Sequence, residues 1–286
     1  MPGSLSKTKH RILAIQGTEK TTKAMELIAT VKTKRLKDAF EKSNYYIEEY
    51  QNLMGMLFNH DKETMSHYGC PNKGDLPTLY IVISSNMGLC GAYNSNLFKY
   101  ADSIIKPSDY IVPIGSKATH HYERSEKYTN IVRDFMEADL SLDMEKLRSF
   151  CLKLKDEFNK EKYKNICIIF THYVNSITFT PLTFQFLPVQ ITPKKWKNES
   201  FCPPIFDEEP RTLIHSLMPD YLTSVLYGRL LESELSEQAS RRTAMDNAND
   251  NADELLAKLN IEYNKARQNA ITQEITEVVG GANAHE

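Results

Sequence analysis

The sequence is short of several things that would place it in a common class. Its 286 residues hold five cysteines (Cys70, Cys90, Cys151, Cys167, Cys202), and no two of them form a Cys-x-x-Cys pair. That pattern suits a reducing compartment better than a disulfide scaffold or a structural zinc site. No apolar run nears the roughly 18 residues that would suggest a membrane span, and Ile166–Phe170 is typical of the longest. The opening MPGSLSKTKH has basic residues with no apolar core behind them, so no signal peptide is expected. The sequence contains neither G-x-x-x-x-G-K-[ST] nor G-x-G-x-x-G, the loops whose backbone amides cradle phosphates. Charge of one sign is lacking too. The 35 Lys and Arg against 37 Asp and Glu leave a net charge of −2, which gives no reason to propose nucleic acid as a partner. What remains is a chain with 41% hydrophobic and 25% charged residues, a globular profile of one or two domains.

Glycine and proline are missing from two long stretches, and this absence organises the chain. Neither residue occurs between Gly17 and Gly55, nor anywhere in 229–279, and every proline except Pro2 lies between Pro71 and Pro219. Because these residues punctuate local structure, the pattern predicts a long helix, a compact domain and a second long helix. The boundaries fall at 1–58, 59–206 and 207–286. The first segment carries 10 basic and 6 acidic side chains, the second 18 and 16, the third 7 and 15. A basic first helix and an acidic last one can attract each other, or each can be solvated independently.

The last stretch has a period. Met245, Ala252, Leu259 and Ala266 recur every seven residues, and Asn249, Leu256, Tyr263 and Ala270 follow each by four. This is the seam of a coiled coil, with small residues that permit close approach and one polar member able to fix register. Leu231 and Leu235 keep the register upstream, and Gln238 and Arg242 then occupy seam positions. Pro219-Asp220 reads as the helix start and Gly280-Gly281 as its stop. The 51 residues of 229–279 alone, as one helix, would run about 77 Å at 1.5 Å per residue. The first stretch is less regular. Ile12, Ile15, Thr22, Met25, Ala29, Leu36 and Phe40 lie near a 3–4 spacing, with Lys-rich surroundings. Such a helix needs a partner face, and the acidic helix at the other end of the chain, joined through a domain, would pair with it antiparallel.

The middle reads as α/β. Leu79–Ser84, Tyr110–Ile114 and Ile166–Tyr173 are short β-branched runs, and Ile177–Val189 alternates like an edge strand or hairpin. Helical spacing is seen near Asn96–Ile105 and, through Leu147, Phe150, Leu154 and Phe158, over Leu140–Lys160. Strand–helix–strand order predicts a partly parallel sheet with crossover helices.

Candidate chemistry is sparse. Cys90 sits in Gly88-Leu-Cys-Gly91 after the first strand, where a helix N-terminus could favour a thiolate, and His120, His121 or His172 could supply a base. No spacing ties a histidine to that cysteine, and the glycines allow the competing reading of a tight turn around a small packed side chain. Gly115-Ser116-Lys117 reads as a strand end and helix cap rather than a phosphate site. His120 and His121 are adjacent, so they cannot share one helix face as ligands, and they read as surface residues. No catalytic, cofactor-binding or metal-binding set emerges.

Several blocks resemble one family. Ile271–Ala284 (ITQEITEVVGGANA), Tyr263–Gln268 (YNKARQ), Ser236–Met245 (SEQASRRTAM), Thr18–Lys32 (TEKTTKAMELIATVK) and Gly88–Leu97 (GLCGAYNSNL) are similar, in order, to the gamma subunit of F-type rotary ATPases, the central stalk of ATP synthases. The resemblance implies a long antiparallel coiled coil of N- and C-terminal helices with a central Rossmann-like α/β domain. It implies a non-catalytic rotor that couples ATP synthesis or hydrolysis in a hexamer of alpha and beta subunits to rotation and proton transport. The base would bind the epsilon subunit and the c-ring, with the complex on the cytoplasmic face of the cell membrane. Carried over by position, Arg267, Gln268 and Thr272 would contact beta-subunit loops near the shaft tip, beside Glu274 and Glu277. Met25 and Lys23 would lie by the beta-subunit lever, near Glu237 and Arg241. The chain departs from the pattern at Asn86-Met87, where an acidic and a basic residue are usual, and at Arg242, where Met is usual. These departures leave room for a gamma-like shaft of a specialised motor, such as gliding machinery, with a replacement basal partner.

Overall fold

The computed structural model describes residues 2–132, 143–191 and 206–283. The chain divides into two compact units, Met1–Val31 with Arg241–Glu286, and Lys32–Ser240. Two long helices contribute to both: α1 (Pro2–His60) and, last in the chain, α6 (Pro210–Asn283). Between them come α2 (Lys62–Gly69), β1 (Leu79–Ile83), α3 (Tyr93–Ile104), β2 (Tyr110–Ile114), α4 (Ser116–Glu123), α5 (Met144–Asn159), β3 (Ile166–Tyr173) and β4 (Phe179–Leu187).

In the larger unit the strands form one mixed sheet of order β2-β1-β3-β4. β1 pairs in parallel with β2 and with β3, while β4 closes the edge antiparallel to β3. Side-chain alternation sorts the sheet into two faces. Leu79, Ile81 and Ile83 join Ile168 and Phe170 in a core with α5 and with parts of α1 and α6. Val82, Ile111 and Ile169 face the other way, onto Leu97 and Ala101 of α3 and Ala118 and Tyr122 of α4. The predicted stripe Leu147, Phe150, Leu154 and Phe158 is buried on α5. Each such side chain removed from water contributes about 1.5–3 kcal/mol.

The two long helices pack antiparallel within this unit. Ile47, Met54, Leu57 and Phe58 share the core with Ile214, Met218, Leu222 and Val225. The Tyr50 hydroxyl donates to the Leu217 carbonyl at 3.3 Å. At Gly228 the helices leave no room for a side chain: a Cβ would stand 2.5 Å from Ile47 Cδ1.

Three sequence expectations are corrected. α6 starts at Pro210, not Pro219, and Pro219 lies inside it. A first-turn proline is the right chemistry, but the buried flank of Ile214, Met218 and Leu222 holds the helix together past the missing N–H. α6 also runs through Gly280-Gly281 to Asn283. Arg242 is exposed rather than set in the seam, whereas Gln238, four residues before it, is buried.

Candidate functional site: the paired terminal helices

The smaller unit consists of the two helix ends. On α6, Met245, Asn249, Ala252 and Leu259 are buried, and Leu256, Tyr263, Ala266 and Ala270 are half-buried, as the seven-residue period requires. On α1, Ile12, Ile15, Thr22, Met25 and Ala29 are the less exposed side. Asn249, 5% exposed, is the polar member of the seam. Thr22 Oγ1 donates to its Oδ1, and its Nδ2 donates to Glu26 Oε2 at 2.7 Å. A buried amide left unpaired would cost about 1–3 kcal/mol, so any axial slip that parts this triad is penalised. The sequence pointed to Asn249 but not to Glu26. The signal that could have found it is the i,i+4 spacing of Thr22 and Glu26 on one helix face.

Large apolar side chains also stand on the outer surface of the same pair. Leu27 is 67% exposed and Ile261 70%, with Leu13, Ile28, Val31, Leu255, Ile271 and Ile275 also exposed. Of the residues carried over as partner contacts, Lys23 is exposed and ion-paired with Glu19, which raises its pKa, with Asp253 and Glu26 adding to the effect. Met25 is half-buried, and Arg241, also in this unit, is buried. Arg267, Gln268, Thr272 and Glu274 are exposed along α6, the Thr272 hydroxyl bonding to the Gln268 carbonyl. Glu277 lies on the helix, with its side chain outside the described residues. Glu237 belongs to the larger unit and is half-buried.

The other candidate, the Gly88–Gly91 loop, is built as structure. Cys90 is buried, its sulfur receives Asn94 Nδ2 at 3.2 Å, and its carbonyl accepts from Ser240 Oγ. His172 is bonded to Glu232, and His121 to Asp102 while stacking on Phe98 at 4.2 Å. His121 is thereby tied into the packing rather than free on the surface, unlike exposed His120. Burial pushes the Cys151 thiol up to about 12, so it stays protonated at neutral pH. The amides that open α4 are all occupied. Ser116 N–H binds Asn86 Oδ1, Lys117 N–H binds the Ser85 carbonyl, and Ala118 N–H binds Ser84 Oγ. Asn86, one of the departures from the family pattern, is therefore a cap on α4.

Fold and site together define a class: a two-helix shaft carried with a small mixed-sheet domain, its apolar side chains outward along the helices and its reactive groups engaged in packing. A family model described as ATP synthase matches residues 4–284. The ATP synthase gamma chain of Mycoplasma capricolum is 35% identical over 281 residues, covering 98% of each chain. That of Mycoplasma mobile is 36% identical over 283 residues, covering 97% of this chain and 98% of the other. The fold is shared with a chain of the Euglena gracilis mitochondrial ATP synthase OSCP/F1/c-ring structure, at a TM-score of 0.65 and 18% identity, covering 99% of this chain and 95% of the other. A chain of the Tetrahymena thermophila central stalk/c-ring structure gives 0.58 and 21%, covering 80% and 99%. The chain belongs to the ATP synthase gamma family. It is a central-stalk, rotor subunit and not a catalytic one.

Proposed function

We propose that this chain turns inside a hexamer of alpha and beta subunits and couples ATP synthesis or hydrolysis there to rotation and proton transport. The observation that carries the reading is the outward apolar surface of the helix pair, from Leu13 and Leu27 on α1 to Ile261 and Ile275 on α6. A rod with its seam already filled and more apolar surface outside fits a surrounding protein sleeve. Contacts to the alpha and beta subunits fall to Lys23, Met25, Glu237, Arg241, Arg267, Gln268, Thr272, Glu274 and Glu277. The shaft presents different side chains to three similar partners, and each angular position biases which of them is open or closed through differential contacts. The sheet domain engages an epsilon subunit and the c-ring, which places the complex peripherally on the cytoplasmic face of the cell membrane. No helix among the described residues is long and apolar enough to cross a membrane. The test is affinity purification with mass analysis. One copy of this chain with six alpha and beta chains, an epsilon subunit and c-ring is expected. Self-association without nucleotide-hydrolysing companions overturns the reading, and unrelated basal proteins would indicate the specialised motor instead.

A further inference from the structure

We propose that residues 229–240 of α6 form a polar key that fixes the rotation of α6 about its own axis against the sheet domain. The inference rests on the rotor reading: it says how torque enters the sheet domain without slip. Nearer its start, α6 meets that domain mainly through Ile214, Met218, Leu222, Val225 and Leu226, all buried, with polar bonds such as Arg148–Asp220, at 2.7 Å, standing at the exposed margin. The hydrophobic driving force is non-directional, so this part of the joint resists a turn of the helix through the shape of its packing alone.

From Arg229 onward buried Leu230, Leu231 and Leu235 continue the apolar packing, and a set of buried polar contacts is added to it. The Arg229 guanidinium lies over the rings of Phe170 and Phe184, at 5.2 and 4.6 Å from their centroids. Its Nη1 donates to Glu232 Oε2 at 2.7 Å. Glu232 is 0% exposed, and its other oxygen meets His172 Nδ1 and accepts from the Tyr173 amide at 3.4 Å. Ser233 Oγ bonds the Tyr93 hydroxyl at 2.7 Å. Ser236 Oγ donates to the Thr171 carbonyl at 3.0 Å, and Ser240 Oγ to the Cys90 carbonyl at 2.8 Å. Three backbone groups of the domain are therefore gripped by α6 side chains. They stand at the carboxyl end of β3 and in the loop after β1, which parallel pairing brings to one end of the sheet.

Burying a carboxylate and four hydroxyls adds little net stability compared with apolar groups of the same shape. What these bonds add is direction. A turn of α6 by one residue swings by about 100° and would break every bond at once. A joint under torsion needs this property, and a joint under simple compaction does not.

Two measurements test the key. In the full-length chain, Ser233→Ala/Ser236→Ala/Ser240→Ala should raise the rate of Cys90 alkylation by iodoacetamide at least tenfold, with the modified residue assigned by peptide mass. In the complex assembled with alpha and beta chains, with a bead fixed to the sheet domain, the variant should hydrolyse ATP within twofold of the unchanged chain and deliver less than half its stall torque. Unchanged Cys90 reactivity or unchanged torque overturns the key. If the triple variant does not fold, Ser236→Ala alone is read in the same way, with a threefold rise in Cys90 alkylation as the threshold. A bead that fails to turn on the unchanged chain refutes the rotor reading, and the key as a torque device with it. The alkylation rates report the joint independently of that outcome.

Discussion

Gly115 holds a backbone φ of 89° between β2 and α4, and a Cβ there would collide with the Ser84 carbonyl oxygen. Both the dihedral and the lack of space exclude any other residue. With ψ at 143° this is a region essentially reserved for glycine, costing an L-residue about 1–3 kcal/mol, and forced overpacking costs about 1–3 more. Gly115→Ala should therefore lower the stability of the sheet domain by about 3 kcal/mol, read from urea unfolding. Glu234, half-buried on α6, makes a prediction of opposite sign. Burial raises its pKa above the ordinary 4.5, and Lys32 only partly offsets this. A carboxyl raised in the folded state loses stability as pH climbs through the window between the ordinary and the raised value. Glu234→Gln should thus raise the melting temperature at pH 7. The gain should vanish below the ordinary value, where both states are protonated in the unchanged chain. An equal gain at pH 4 and pH 7 would show that the carboxylate charge is not the cause.

At the scale of elements, the long helices were legible because they depend on a pattern no tertiary contact has to supply. The seven-residue repeat from Met245 to Ala270 lies on the buried side of α6, and Leu147, Phe150, Leu154 and Phe158 form the inner face of α5. Strands β2 and β3 carry the bounds their β-branched runs suggested. Helix ends were less legible, since Pro219 and Gly280 are tolerated where packing or propagation outweighs the local preference. The grip of Glu232, Ser233, Ser236 and Ser240 on the sheet was not legible at all, because each partner is distant in sequence. The Ser236–Thr171 bond alone spans 65 residues. Gly228 gives the element-scale prediction. Its open Cα lets α1 and α6 touch at Ile47, so Gly228→Val should part the helices locally and destabilise the larger unit by about 1–3 kcal/mol. The check is hydrogen exchange, which should speed up in residues 43–50 and 225–232.

At the scale of the whole molecule, the exposed end of the shaft separates folding from assembly. Arg267, Gln268, Ile271, Thr272, Glu274 and Ile275 are all exposed, so the chain draws little of its own stability from them. Deleting residues 267–286 should leave the melting of the sheet domain unchanged, since the removed stretch belongs to the smaller unit and not to Lys32–Ser240. It should weaken recovery of alpha and beta chains in co-purification. Full recovery with full coupled turnover would remove those residues from the contact set. The site as a whole was legible only in part. Heptad spacing locates a helix pair, and the similarity of short blocks names its surroundings. Neither shows that Arg241 is buried while Arg242, its neighbour, faces solvent.

The outward leucines and isoleucines of the shaft carry a cost outside the assembled machine. A chain made in surplus would present a greasy spindle to every other rod of its kind. Its supply should therefore be tied to that of its sleeve, and overexpression alone should yield clumped material that co-expression with the surrounding subunits dissolves.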